Sequence, residues 1–230
     1  MLILTMPVRG TSEQSFELSR FDAIAPERSG FVGGVSLGEP LWEASWKLSR
    51  AQNRAAEDEW SAFFGRLRGS TRPFVAWDRL RVFPREHSGG FLTMTRPDDS
   101  AFDGSALTWS QTVDGNGEAQ LTLTGLPAGL KLSPRDYVGF KWDAEGSDEG
   151  AQDRRALVRV EVGDRADASG ELTVIVEPAV PGAVPEGATA HLDRPSCLMR
   201  AVPGTIDFGT SDVTGDRTGG GFSALQDLRP

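Results

Sequence analysis

The chain has 230 residues, of which 38% are hydrophobic, with 27 glycines, 14 prolines and a formal net charge of −9. This length allows one large or two small domains with cores of their own, and the charged fraction of 25% excludes a mostly disordered chain. The glycine and proline content favours a turn-rich β protein, and the acidic balance disfavours a nucleic-acid-binding protein, which needs basic patches to neutralise phosphates.

Residues that usually mark metal or redox sites are few in this sequence. Cys197 is the single cysteine, which excludes a disulfide within the chain. His87 and His191 lie far apart, and no CxxC or HExxH spacing accompanies them, so we expect no zinc site. The opening MLILTMP reads as a first strand (Met1–Met6), because it is too short for a signal peptide and lacks basic residues. No apolar stretch approaches the roughly 20 residues of a membrane span, and we expect folding in a reducing cytoplasm.

The clearest strand pattern is LWEASWKL, residues 41–48. Trp42, Ala44, Trp46 and Leu48 fall on one face of a period-2 element, while the residues between them are mostly polar. This alternation predicts a half-buried strand.

A helix is predicted over residues 50–68, directly after this strand. Ser49 stands at the N-cap position with Gln52 three residues later, which is the pattern of a capping box. Gly69 suits the left-handed position that ends a helix. The apolar face consists of Ala56, Trp60, Phe63, Phe64 and Leu67. We expect this helix to pack across a sheet, with Trp46, Trp60 and Phe64 in the same core.

The net charge is concentrated in one internal segment. Residues 96–196 contain 9 Lys and Arg against 18 Asp and Glu, whereas the remainder of the chain contains 15 of each. Such a shift at two points predicts a domain of residues 96–196 inserted into a domain formed by residues 1–95 and 197–230.

Short strands separated by Gly, Asp and Pro are predicted in the inserted segment. They are AQLTLTG, DYVGFKW, ALVRVEV and ELTVIVEP. Four or five such strands suit a small β-barrel of the oligonucleotide/oligosaccharide-binding (OB) type. SCLMRAV predicts a strand that returns to the first domain, and SDVTGDRTGGGF and SGFVGGVSLGEP are interpreted as turn-rich or flexible loops.

The sequence contains no motif of an established catalytic or cofactor site. GxSxG, GxGxxG, Walker A and EF-hand patterns are missing, so we predict no catalytic, cofactor-binding or metal-binding residue. An acidic cluster could in principle bind calcium, although a solvated hairpin tip is the favoured interpretation; its members are Asp143, Glu145, Asp148, Glu149 and Asp153. Trp109 and Trp142 could stack on sugar rings, but in so small a domain core positions are favoured. A pair of glycosidase carboxylates is left open.

The order of these parts resembles the distal tail proteins of long, non-contractile-tailed phages (siphophages) and related gene transfer particles. The resemblance is carried by the tryptophan strand LWEASWKL, the helix SRAQNRAAEDEWSAFFGRLRG, the following strand TRPFVAW, the inserted barrel and the returning C-terminal segment. It implies a β-sandwich with one packed helix, which forms a hexameric ring at the tip of the tail tube, and an inserted barrel that projects outward. It implies no catalytic residues.

The resemblance therefore implies a virion structural protein of the tail tip, made in the host bacterial cytoplasm. Its expected partners are further copies of itself in a homo-hexameric ring, the tail tube protein and the tail hub or baseplate protein. Sequence-specific nucleic acid, membrane insertion, cofactors and enzymatic activity are not expected. The alternative is a carbohydrate-binding, lectin-like module of a tail or cell-surface assembly, and a glycosidase or cell-wall amidase comes third.

Overall fold

The computed structural model describes residues 2–26, 28, 30, 32–49, 54–148, 150–211 and 217–229. The fold is mainly β with one α-helix, which confirms the predicted fold class. The elements up to the helix are β1 (Leu4–Thr5), β2 (Thr11–Ser19), β3 (Asp22–Pro26), β4 (Val32–Ser36), β5 (Leu41–Leu48) and α1 (Arg54–Leu67). The next strands are β6 (Phe74–Ala76), β7 (Thr108–Val113), β8 (Ala119–Thr124), β9 (Tyr137–Trp142), β10 (Arg154–Val162), β11 (Leu172–Glu177) and β12 (Thr189–His191). The last are β13 (Cys197–Ala201), β14 (Thr210–Ser211), β15 (Arg217–Thr218) and β16 (Gly221–Gln226).

The chain divides into two compact units, and the first is discontinuous in sequence. The first unit consists of residues 1–74 and 199–227, and the second of residues 75–198 and 228–230. The two boundaries therefore fall at β6 and β13. Residues 75–95, which the sequence prediction assigned to the first domain, belong to the second unit.

The first unit contains a six-stranded sheet covered on one face by α1. The strand order is β1-β6-β13-β16-β5-β2. The predicted alternation of β5 is confirmed, because Trp42, Ala44, Trp46 and Leu48 are all buried. Trp46 stacks on Phe222 of β16, with the ring centroids 4.8 Å apart.

The aromatic face of α1 completes this core. Phe63 meets Phe74 edge to face at 5.4 Å, and Phe64 meets Phe222 at 5.2 Å. Trp60 is buried and donates a hydrogen bond from its indole Nε1 to the Arg9 carbonyl at 2.7 Å. The prediction that Trp46, Trp60 and Phe64 share one core is therefore confirmed.

The two ends of the predicted helix have different outcomes. Residues 50–53, including the proposed capping partner Gln52, lie outside the described residues, and the helix is described from Arg54. At its C-terminus Gly69 has a φ of +70°, which confirms the predicted left-handed ending. Arg68, the predicted last residue, has a φ of +51° and follows the final helical residue, Leu67.

The second unit is built on a six-stranded antiparallel sheet with the order β12-β9-β10-β11-β8-β7. The segment before β7 returns to β12, since the Ala106 N–H donates to the Ala190 carbonyl at 2.9 Å and Ser105 bridges His191. These contacts close the sheet into a barrel. β12 lies beside the first of three hairpin-connected strands, β9 to β11, which is a Greek-key connection.

The barrel therefore has six strands, more than the four or five predicted for an OB-type domain. Sequence analysis missed TWSQTV and TAH, which form β7 and β12. β7 has only two apolar residues, Trp109 and Val113, and β12 has three residues in all, so neither has enough length or alternation to signal a strand.

Direct contacts explain why residues 75–95 belong to the barrel unit. The Lys131 N–H donates to Nε2 of His87 at 3.2 Å, and the Arg85 N–H donates to Oδ1 of Asp136 at 2.9 Å. Phe91 packs against Phe102 with 5.0 Å between ring centroids, within the barrel core. The boundary at residue 95 was predicted from a change in charge along the sequence. These contacts join residues on both sides of that boundary.

Several segments read as loops or left unassigned are strands in the structure. β2, β3 and β4 occupy residues between the first strand and the tryptophan strand. β4 falls within the region read as turns, whereas β3 precedes that region and was left unassigned. In SDVTGDRTGGGF, interpreted as a flexible loop, Thr210 and Ser211 pair with Thr218 and Arg217, and Gly221 begins β16. Residues 212–216 of that segment lie outside the described residues. The predicted strand Met1–Met6 is limited to Leu4–Thr5.

No helix in the described part of the chain is both long and apolar enough to cross a membrane.

Candidate assembly surface

A two-stranded ribbon in the first unit carries several exposed apolar side chains. β3 pairs with β4 in an antiparallel register that runs from Asp22 opposite Ser36 to Pro26 opposite Val32. Among the described strands, neither β3 nor β4 joins a larger sheet. The ribbon extends the β2–β5 hairpin, and the Leu37 N–H donates to the Phe21 carbonyl at 2.8 Å at its base.

This ribbon presents large apolar side chains to solvent. We call β3, β4 and the flanking Phe21 and Leu37 the apolar arm. The exposed fractions are 47% for Phe21, 70% for Ile24, 66% for Val32, 60% for Val35 and 70% for Leu37. An isolated two-stranded ribbon is marginally stable in water, and contiguous exposed apolar residues usually mark an interaction surface. We therefore identify the apolar arm as the candidate functional surface.

Both faces of the apolar arm carry apolar groups. Val35 lies opposite Ala23, so these two side chains share one face. Ile24 lies opposite Gly34, and Val32 follows the same alternation as Gly34, which places Ile24 and Val32 on the other face. A binding surface that covers one face would leave the other exposed, so full burial of the arm requires it to be enclosed from two sides.

Sequence analysis missed the apolar arm because its composition is that of a loop. VGGVS places two glycines inside β4, and β3 ends in a proline. Gly33 and Gly34 have open space on their side-chain side, where the nearest atoms are carbonyl oxygens of β3 at 3.9 Å. The signal that could have found the arm is the pair of apolar runs, AIA and VGGV, each a few residues from the longer strand that it extends.

In the acidic cluster that we considered for calcium, Asp143 and Asp153 accept hydrogen bonds from backbone N–H groups of their own loop. Asp143 accepts hydrogen bonds from the N–H groups of Gly150 and Gln152, and Asp153 accepts one from Ala144. Glu149 lies outside the described residues. Within the described ranges, no group of three or more His, Cys, Asp or Glu side chains is placed to bind a metal ion.

The two tryptophans considered for sugar stacking pack against the barrel core. The Trp109 indole donates to the Ala188 carbonyl at 2.8 Å and meets Phe140 edge to face at 4.9 Å. Trp142 is half-buried. These contacts favour the interpretation of both residues as core, and they give the carbohydrate-binding alternative no exposed aromatic platform at these positions.

The two histidines and the cysteine are partly or fully buried in the fold. His87 accepts the Lys131 N–H, and burial lowers the pKa of this imidazole. His191 is buried, and its pKa is lowered to about 3, first by burial and then by Lys141 and Arg155. Cys197 is fully buried in β13, and burial raises the pKa of its thiol.

Comparison of the sequence with protein-family models and with curated proteins found no match.

Proposed function

We propose that this protein is a non-enzymatic structural component of a phage tail tip, where it forms a ring that joins the tail tube to the hub and receptor-binding proteins. The observation that carries the proposal is the apolar arm, which has five large exposed apolar side chains on a ribbon that no other described strand joins. The partner that we propose to bind the apolar arm is a second copy of this chain.

Burial of the arm by a neighbouring copy would supply the stabilisation that the ribbon lacks alone. Transfer of apolar surface out of water contributes roughly 25 cal/mol per Å². A contact between the arm of one copy and a different patch of the next is heterologous, and heterologous contacts close into rings when the rotation per subunit is suitable. Both apolar faces of the arm are exposed in the single chain, so the proposed assembly has neighbouring copies enclosing the arm on both sides.

The charge distribution supports assembly through the first unit. Residues 1–74 and 199–227 contain 11 Lys and Arg against 13 Asp and Glu, so copies of this unit approach one another with little net repulsion. Residues 75–198 contain 12 against 20, and copies of this segment repel one another at low salt. We infer that the ring is formed by first units, with the second units kept apart.

The resemblance to distal tail proteins supplies the number of copies and the neighbours. It implies six copies in the ring, with the tail tube protein on one side and the tail hub or baseplate protein on the other. The location that follows from this proposal is the tail tip of a virion.

The experiment compares charged substitutions on the arm with a matched one elsewhere. The double variant Ile24→Asp, Val35→Asp places a charge on each face of the arm. The control is Val113→Asp at the end of β7, where the valine is 55% exposed. Each variant is supplied in place of the wild-type protein during particle assembly, and its incorporation into purified tail tips is measured by quantitative mass spectrometry. We expect the arm variant to fold normally but to be lost from particles, whereas the control is incorporated.

Two results would overturn the proposal. One is normal incorporation of the arm variant, which would show that the arm has no part in assembly. The other is imaging of purified particles in which the wild-type protein is missing from the tail tip, or is present in a copy number not divisible by three.

A further inference from the structure

Three polar side chains form a row across the outer face of the barrel in the second unit. Arg155 on β10 lies directly opposite Lys141 on β9, and Lys141 lies opposite Thr189 on β12. The residues that alternate with them, including Phe140, Ala156 and Ala190, belong to the barrel core. Alternation therefore places the three polar side chains on the outer face. We call Arg155, Lys141 and Thr189 the cationic row.

The two cations in this row lie directly opposite each other, and neither forms an ion pair with a described residue. Like charges directly opposite on neighbouring strands are destabilising. Both side chains are half-buried, and burial lowers the pKa of each; the Arg155 charge lowers the pKa of Lys141 further. Nε of Arg155 is buried and has no hydrogen-bond partner among the described residues.

The acidic residues near the row do not balance it. Asp103 and Asp193 act on Lys141 in the direction that favours its charged form. The Asp103 carboxylate, however, already accepts hydrogen bonds from Arg96 at 2.8 Å and from the Ser105 N–H at 3.0 Å. Burial is the cause that lowers the pKa of Arg155. Arg155 and Arg194 act on Lys141 in the opposite direction, so among these described groups the cations outnumber the carboxylates.

We propose that the cationic row binds one phosphate group, held by the Arg155 guanidinium, the Lys141 ammonium and the Thr189 hydroxyl. A guanidinium presents a planar set of N–H donors that matches phosphate oxygens, while ammonium and hydroxyl groups add further donors. Partly buried cations gain most from an anion, because their attraction to it is less screened than in water. The net negative charge of the second unit as a whole disfavours a polyanion, so the ligand is a single phosphate group, either free or terminal on a sugar.

The test is calorimetric titration of the full chain with inorganic phosphate and, separately, with glucose 6-phosphate, at an ionic strength held constant with sodium chloride. We expect saturable binding of one phosphate group per chain. Arg155→Gln should weaken binding at least about tenfold, since it removes a charge-assisted hydrogen-bond donor. If the two ligands bind with similar affinity, the site recognises the phosphate group alone. If glucose 6-phosphate binds more tightly than inorganic phosphate, the site recognises a phosphate group that is terminal on a sugar. Both results support the site.

The matched control is Arg159→Gln. Arg159 lies four residues along the same strand and on the same face as Arg155, but its Nε donates to Glu161 at 2.8 Å. We expect Arg159→Gln to bind phosphate as the wild type does. A second readout is thermal stability: phosphate should raise the melting temperature of the wild type, and Arg155→Gln should lose this response without being less stable in phosphate-free buffer.

The proposal is wrong if phosphate shows no saturable binding, or if Arg155→Gln and Arg159→Gln weaken it equally. Lys141→Gln, checked for native folding by near-ultraviolet circular dichroism, provides a second variant if Arg155→Gln does not fold. Unchanged phosphate affinity in Lys141→Gln would also contradict the site. None of these results depends on the proposed assembly role, which rests on the first unit.

Discussion

The imidazole of His191 occupies the space that a side chain on Gly139 would need. The two residues are paired across β12 and β9, and an added β carbon at position 139 would lie 2.5 Å from Cε1 and 2.7 Å from Nε2 of His191. It would also lie 3.0 Å from the Cα atom of Pro195, which is backbone and cannot rotate away. The glycine in β9 therefore leaves room for the buried imidazole of His191 on the neighbouring strand.

We predict that Gly139→Ala destabilises the protein by about 1–3 kcal/mol, because the new methyl group forces the histidine or the backbone to move. Gly139→Val should cost more. Gly187→Ala is the matched control, since an added β carbon there would have no atom within 4 Å. Urea unfolding measures the difference, and equal midpoints for Gly139→Ala and Gly187→Ala would show that the histidine moves freely.

His191 should also make stability depend on pH. The unfolded chain binds a proton at this imidazole near its ordinary pKa of 6.5, whereas in the folded protein the pKa is lowered to about 3 by burial and by Lys141 and Arg155. Between these values the unfolded state binds the extra proton, so the free energy of unfolding falls as the pH drops from 6.5 toward 3. Urea midpoints at pH 7 and pH 5 should differ more for the wild type than for His191→Asn. An identical pH dependence in the two proteins would contradict the prediction.

Trp60 should be the most sensitive position on the helix. Trp60→Ala removes a buried ring and leaves the Arg9 carbonyl without its indole donor, and we expect a loss of about 3–5 kcal/mol. Trp60→Phe should fall between the alanine variant and the wild type. Ser61→Ala, on the exposed side of the same helix, should change stability by less than about 0.5 kcal/mol. A loss below about 1 kcal/mol for Trp60→Ala would argue against a core position.

The position of the domain boundary can be tested with two deletions. Joining Ala76 to Cys197 through a short Gly/Ser bridge keeps β6 and β13 and removes the residues between them, and we expect the first unit to fold. The deletion suggested by sequence alone joins Thr95 to Cys197. It retains Phe83 and Phe91 but removes the barrel against which Phe91 packs, so we expect this protein to aggregate more readily.

Circular dichroism and analytical ultracentrifugation would compare the two deletion proteins. A well-folded, monodisperse Thr95–Cys197 protein alongside an unfolded Ala76–Cys197 protein would restore the boundary predicted from charge.

The features that could be predicted from the sequence are those that depend on residues close together along the chain. The period-2 pattern of β5 and the apolar face of α1 are local, so their burial could be predicted residue by residue. The apolar arm could not, because two glycines give β4 the composition of a turn. The boundary at residue 74 was missed because it depends on hydrogen bonds between residues that are distant in sequence. Lys131 and His87, and Arg85 and Asp136, are each more than 40 residues apart along the chain.

The cationic row was beyond sequence reasoning for a related reason. Arg155 meets Lys141 only through the register of β10 on β9, and Thr189 arrives from a three-residue strand. A shift of one residue in the pairing of β10 with β9 would place Arg155 and Lys141 on opposite faces of the barrel. The same shift in the pairing of β12 with β9 would separate Thr189 from Lys141 in the same way. Strand register is a tertiary property, fixed here by the core residues that alternate with the row.

The burial of Cys197 makes this protein convenient for site-specific labelling. The single native thiol is enclosed in β13 and stays protonated at neutral pH, so it reacts slowly with maleimides and methanethiosulfonates while the protein is folded. A cysteine introduced at an exposed position, such as Leu92→Cys, would be the one fast-reacting thiol in the chain. Fluorophores or spin labels could then be attached one site at a time without first replacing the native cysteine.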